Sequence, residues 1–241
     1  MLKIIIPVII IVVIAIVLYP RIENFKIYNS IITYIINLKT RSDKKINIIN
    51  ELHNSNINNY KIIEAVNGND LDKSVINNIN NDSIERKLRN GEIGCYLSHV
   101  NVWNSFLFNE SSNYCLILED DAVFNLQQFK LNNIIDELTD LNIDILYLTD
   151  NCDGWFGESE CKNGSFISND IFNPKRIGYG LYGYIINKKA AKYLISKSKP
   201  ITRPIDVLLS DLHLKNEIKF AKLRSPLINV RSLTDSDTQK I

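Results

Sequence analysis

Three consecutive carboxylates, Glu119, Asp120 and Asp121, follow the apolar run Tyr114-Cys115-Leu116-Ile117-Leu118. A short apolar run of this kind reads as a buried strand. Buried strands tolerate acids only where the acids are paired or hold a cation. Beyond the carboxyl end of a strand in an open α/β sheet, ligands have room to bind. Oxygen-only donors suit Mg²⁺ or Mn²⁺ better than zinc. The chemistry on offer is a divalent cation holding a nucleotide diphosphate, neutralising the leaving group as a glycosidic bond breaks. The plain alternative is a solvated acidic turn that caps a helix. The position directly after a buried strand weighs against that alternative.

Three other segments carry possible chemistry. Gly91-Glu92-Ile93-Gly94-Cys95-Tyr96-Leu97-Ser98-His99 opens a helix. Small residues there would let a ligand approach free backbone N–H groups, which favour anions. His99 falls off the expected apolar stripe and could face a pocket, to contact a phosphate or assist proton transfer. A lone helical histidine is more often a structural hydrogen-bonder. Gly178 to Tyr184 alternates small and aromatic residues. It reads equally as a sugar-stacking wall or as a Gly-rich turn entering a core strand. Asp206 follows Pro204-Ile205, as a general base, an acceptor contact or a plain helix-start acid.

These residues need elements to position them. Ile31–Leu38 reads as a first strand. Ser42 is the expected N-cap of the next helix, with Asp43 in its first turn and Ile46, Ile49 and Leu52 as its stripe. Tyr60–Val66 reads as a second strand closed by Asn67-Gly68. This β-α-β opening implies a parallel pair. A helix from Gly91 to about Phe108 should bury Ile93, Leu97, Val100, Trp103 and Leu107. After the acidic strand come a helix marked by Leu131, Ile134, Ile135 and Leu138, and a strand Ile143–Leu148 ending at Thr149-Asp150. Residues 69–90 are polar and poorly periodic. Residues 151–173 show no clear element, and a loop that long is usually functional or disordered. A strand at Tyr184–Ile186, helices at Lys188–Lys197 and Pro204–Leu214, and a strand at Ile218–Leu223 complete one α/β domain with a mainly parallel sheet.

The chain has 241 residues, 45% hydrophobic and 23% charged, with a formal net charge of +1. That is an ordinary globular composition, and it gives no electrostatic case for nucleic acid. Of the four cysteines, Cys115 and Cys95 read as small buried hydrophobes. Cys152 and Cys161 flank a polar loop and suit a disulfide if the domain is lumenal. Lys3 and Arg21 flank Ile4–Tyr19, which carries no charge. A span usually needs about 20 residues, and Met1, Leu2 and Pro20 bring the stretch to the lower edge. No small-x-small cleavage site follows it. The expectation is an uncleaved, single-pass membrane anchor over residues 1–21, with a cleaved signal peptide as the alternative. The flanking charges are balanced and set no orientation.

Taken together, IINLKTRSDKK (Ile35–Lys45), IEAVNG (Ile63–Gly68), GEIGCYLSH (Gly91–His99), LILEDDAVF (Leu116–Phe124), GYIINKKAAKYL (Gly183–Leu194) and PIDVLLSD (Pro204–Asp211) resemble glycosyltransferase family 25. SPLINVRSLTDSD (Ser225–Asp237) resembles a degraded form of its closing segment. That family includes bacterial lipooligosaccharide galactosyltransferases and procollagen galactosyltransferases. The resemblance implies a GT-A type nucleotide-diphospho-sugar transferase domain over residues 22–241. It implies a UDP-sugar donor, Mn²⁺ (or Mg²⁺), and inverting transfer of galactose or glucose to a glycan or hydroxylated protein. By resemblance, Glu119 and Asp121 bind the metal, with Asp120 beside the diphosphate. Asn37, Leu38, Arg41 and Asn67 lie near the nucleotide, and Gly94, Ser98 and His99 line the donor site. The base is Asp206, with Asp150 second. Asn67 departs from the family's usual Asp before Gly. Two other readings compete: a membrane-tethered relative that binds without turnover, and a metal-dependent phosphodiesterase, which the near-neutral charge disfavours for nucleic acid.

Overall fold

The computed structural model describes residues 31–81, 86–108, 112–124, 128–150, 152, 158–231 and 235–237. The expected anchor, residues 1–21, lies outside them. Among the described residues no helix is long and apolar enough to cross a membrane.

The strand that leads into the acidic triplet, β3 (Tyr114–Glu119), is interior to the sheet. It lies beside β1 (Ile32–Asn37), which pairs in parallel with both β3 and β2 (Tyr60–Glu64). On its other side runs the antiparallel β8 (Gly183–Asn187), followed by β5 (Ile145–Tyr147) and β9 (Phe220–Leu223). A hairpin of β6 (Gly164–Phe166) and β7 (Ile171–Pro174) extends that edge, giving the order β2-β1-β3-β8-β5-β9-β7-β6. Only β8 and β7 oppose the common direction among these strands, so the sheet is mixed but mainly parallel. A second ribbon joins β4 (Ala122–Phe124) to β10 (Ile228–Val230).

β3 explains why its sequence is apolar without alternation. Cys115 and Ile117 pack on one side, with Trp103, Phe106 and Ile186. Leu116 and Leu118 pack on the other, with Ile48, Leu52, Leu131 and Leu138. A strand covered on both faces must be apolar throughout. Each such buried side chain contributes roughly 1.5–3 kcal/mol.

The covering helices begin with α1 (Ser42–Asn54), α2 (Lys73–Ile79) and α3 (Asn90–Leu107). They continue with α4 (Gln128–Asp140), α5 (Glu158–Lys162), α6 (Lys188–Lys197) and α7 (Ile205–Leu214). Asn56, Asn142 and Asn216 adopt positive φ just past α1, α4 and α7. Asparagine tolerates that left-handed conformation, so part of the Asn bias serves helix ends.

Several expectations are corrected. Ser42 is the first helical residue of α1 and Arg41 is its cap residue, without a side-chain cap bond. A turn bond from Arg41 N–H to Leu38 O starts the helix one residue early. The buried face of α1 is Lys44, Ile48 and Leu52, while Ile46 is 61% exposed. In α3 the buried face is Ile93, Tyr96, Val102, Trp103 and Phe106, together with Gly94, Ser98 and His99. Leu97, Val100 and Leu107 are only half-buried, at the margin of the core. Residues 151–173 contain α5 and the β6–β7 hairpin. These strands are too short for a periodic signal and form by pairing onto β9. Cys152 and Cys161 are disulfide-bonded; Cys115 is buried and Cys95 only half-buried.

Candidate active site

The carboxyl ends of β1 and β3 lie side by side, with Ile36 opposite Glu119. Beyond them opens a solvent-connected cleft. Its floor is Glu119, Asp120 and Asp121. Leu38 and Lys44 form one wall, and Asn67, Gly68, Gly91, Cys95, Ser98 and His99 the other; Ser236 and Asp237 reach in from the tail.

Each acid of the triplet is held differently. Asp120 Oδ2 accepts 2.6 Å from Asn37 Nδ2, which also donates to Arg41 O at 3.1 Å. Glu119 Oε1 lies 3.4 Å from His99 Nε2. Asp121 has its backbone carbonyl bonded by Arg231 N–H. Its Oδ2 lies 3.7 Å from Lys44 Nζ. Its Oδ1 is buried without a hydrogen-bond partner. Burial raises Glu119 to about 7, helped by the charges of Asp120 and Asp206. Burial likewise raises Asp120 to about 6, against the opposing Asn37 bond and Lys44 charge. Asp121 also rises to about 6, from burial and then the Glu119 charge. These acids are short of positive charge.

His99 is fully buried, and burial lowers it to about 3, so it is neutral near pH 7. Trp103 Nε1 donates to Tyr184 Oη at 2.9 Å, and that hydroxyl lies 3.0 Å from His99 Nδ1. The arrangement that satisfies all these groups sends the tyrosine proton to Nδ1 and the ring proton on Nε2 toward Glu119. His99 therefore orients Glu119 from the core. Cys95, His99 and Glu119 present ligand atoms within 4.8 Å of one another. Both His99 nitrogens already have partners, so the oxygen donors are the better cradle for a hard cation.

The expected donor-site residues divide. Gly94 does not border the cleft; a Cβ on it would sit 2.5 Å from Val66 O and 2.8 Å from Gly68 N. Its lack of a side chain lets α3 approach the end of β2. Ser98 Oγ fastens the same junction, accepting from Val66 N–H at 2.8 Å and donating to Gly94 O at 2.7 Å. Asn67 Oδ1 accepts from Asn69 N–H, and its Nδ2 donates to Asp70 at 2.9 Å. An aspartate at position 67 would set two carboxylates face to face there. Arg41 does not line the cleft; it binds Asp43, Asp235 and Asp237 beside it.

The two base candidates also separate. Asp206 accepts from Gly180 N–H at 3.0 Å and Val207 N–H at 2.8 Å. Gly180 has φ of +93°, a left-handed conformation that suits glycine. Asp206 thus ties the Gly178–Tyr184 segment to α7, and burial raises its pKa despite those backbone bonds. Tyr184 itself is a core residue and cannot stack on a ligand; Tyr179 and Tyr182 are half-buried. Neither Asp206 nor Asp150 lines the cleft, and Asp150 is exposed. It pairs with Lys222 Nζ at 2.7 Å. Partial burial works to raise Asp150, but the Lys222 ammonium overrides it and holds the pKa low.

Lys44, Asp235 and Asp237 escaped the sequence reading. Lys44 Nζ donates to Asp237 Oδ2 at 3.1 Å and Asp235 O at 3.0 Å. Burial opposes its charge, yet Asp120, Asp121 and Asp237 together raise its pKa. The signal was a charged residue four before Ile48 and eight before Leu52, on the buried face of α1.

The model described as glycosyltransferase family 25 (LPS biosynthesis protein) matches residues 30–209. The chain is 27% identical over 200 residues to procollagen galactosyltransferase 2 of Homo sapiens, a match covering 77% of this chain and 30% of that protein. It is 31% identical over 211 residues to procollagen lysyl hydroxylase and glycosyltransferase of Acanthamoeba polyphaga mimivirus, covering 80% of this chain and 23% of that protein. The chain thus matches less than a third of the length of these two relatives. A crystal structure of galactosyltransferase LgtC with donor and acceptor sugar analogs is similar at a TM-score of 0.46 and 9% identity, covering 80% of this chain and 73% of that one. The family match runs from β1 into α7 and takes in the acidic floor and both walls of the cleft, so the chain belongs to glycosyltransferase family 25.

Proposed function

We propose that this glycosyltransferase moves galactose or glucose from a UDP-sugar to a hydroxyl of a glycan or hydroxylated protein, with inversion, on a GT-A type fold. The observation that carries the reading is Asp121 Oδ1, buried without a partner in a cleft whose floor is three carboxylates. An orphaned carboxylate oxygen beside other oxygen donors fits a hard divalent cation. Asp121 and Glu119 would hold Mn²⁺ (or Mg²⁺), with Asp120 beside them. When bound, the cation supplies positive charge for the departing diphosphate.

The chain's own groups do the rest. Asn37 fixes Asp120, and His99 fixes Glu119, so the acids are preorganised. Asn37, Leu38, Arg41 and Asn67 flank the nucleotide end. The acceptor oxygen bonds to the anomeric carbon as that carbon's bond to the diphosphate oxygen breaks. The hydroxyl proton passes to Asp206. A raised pKa suits a base working near neutral pH, which favours Asp206 over the lysine-paired Asp150. The uncharged stretch Ile4–Tyr19 supports membrane attachment through residues 1–21, and the Cys152–Cys161 disulfide supports an oxidising, lumenal setting.

The test is UDP release from a panel of UDP-sugars, with Mn²⁺ and with chelator. Metal-dependent release from one donor supports the reading and names the sugar. A folded protein that binds UDP but releases none from any donor would instead be a binding relative.

A further inference from the structure

Lys44 is an unusual residue to find in a cation site, because it is itself a cation. Its side chain is 6% exposed. It stands 3.7 Å from Asp120 Oδ1, 3.7 Å from Asp121 Oδ2 and 3.1 Å from Asp237 Oδ2. An ammonium has three donors. Two go to Asp237 and the Asp235 carbonyl, leaving at most one for Asp120 and Asp121. Asp121, only 6% exposed, keeps Oδ1 unpartnered. The floor is therefore partly neutralised, by a charge carried on the protein.

We propose that Lys44 is the resident counter-ion of the cleft and a positioning residue that couples entry of the divalent cation to entry of the donor's diphosphate. This rests on the cation–diphosphate reading above. A divalent cation entering alone meets a buried ammonium of like sign. If the cation takes Asp120 and Asp121, the buried ammonium keeps only Asp237 among its carboxylates, and losing compensating charge around a buried ion is unfavourable. A diphosphate arriving with the cation gives the ammonium new anionic oxygens and removes the penalty. Each ligand then tightens the other, and by linkage the coupling is reciprocal. Removing the ammonium should free the carboxylates for the cation alone.

The experiment is Mn²⁺ titration of the full chain, followed by the electron paramagnetic resonance signal of free Mn²⁺, with and without UDP. Lys44→Met keeps the apolar stem of the side chain and removes its charge. It is expected to bind Mn²⁺ alone about tenfold more tightly than wild type and to lose a similar factor of the UDP-induced gain. Lys44→Gln, which is neutral but polar, should behave alike, so a packing defect in one variant does not decide the result. Circular dichroism checks that each protein is folded. Mn²⁺ binding that neither substitution tightens would overturn the inference and leave the cation reading standing. Mn²⁺ binding to none of the proteins, with or without UDP, would overturn both.

Discussion

Lys44 Nζ stands 3.7 Å from Asp121 Oδ2, while the other oxygen of that carboxylate is buried with no hydrogen-bond partner. The carboxylate is thus served on one side only. A half-served buried acid is a poor choice for stability and a good one for capturing a cation.

Asp121→Asn should separate those two properties. Burial already disfavours the charged form of Asp121. The neutral amide should leave the metal-free protein within about 1 kcal/mol of wild type, or more stable. Urea unfolding checks this. Mn²⁺ should raise the unfolding midpoint of wild type and not of the variant.

The acids also fix a pH dependence. Glu119 is raised to about 7, and Asp120 and Asp121 to about 6. A raised carboxyl contributes stability that is fully present below its unfolded pKa and lost as pH rises through its folded value. The metal-free protein should therefore lose stability from these groups between about pH 4 and 7. His99, lowered to about 3, acts in the opposite sense below its ordinary range. Asp121→Asn isolates the acid contribution by flattening the slope. Mn²⁺ affinity should fall as pH drops through 7 to 6, with protons released on binding, which calorimetry in two buffers measures.

Gly94→Ala should disturb the cleft from behind. The added Cβ would meet the Val66 carbonyl at 2.5 Å, and backbone cannot move aside cheaply. Overpacking of this kind costs about 1–3 kcal/mol. The same shift would move Asn67 and Gly68 on the cleft wall. Urea unfolding and UDP affinity should fall together.

Asp206→Asn keeps an oxygen to accept from Gly180 N–H but cannot take a proton at neutral pH. Turnover should drop about 10²–10⁴-fold with donor affinity unchanged. A loss confined to donor affinity would remove Asp206 from the role of base.

How much of this was legible depended on whether local pattern or tertiary pairing made the element. β3 and its acids stood out because apolar residues buried on both faces end abruptly in charge. Helix α6 appeared with the expected bounds, Lys188–Lys197. β10 and the β6–β7 hairpin did not appear, because strands of three or four residues owe their existence to their partners. Lys44 was hidden by a phase error in α1. Reading Ile46, Ile49 and Leu52 as the stripe turned Lys44 outward, whereas Ile48 and Leu52 set the buried face and carry Lys44 into the cleft. Gly94 stood out as a place of close approach, and its packing against the backbone at Val66 and Gly68 is tertiary, which no local pattern carries. Asp235 and Asp237 meet Arg41 from almost two hundred residues away, which no local pattern carries.

The most direct test of the acidic strand end as a cation–diphosphate site is UDP release from the best UDP-sugar, comparing wild type with Asp121→Asn at saturating Mn²⁺. The expected result is metal-dependent release by wild type and none by the folded variant. Equal release by both proteins, or release by wild type that a chelator leaves untouched, would contradict it.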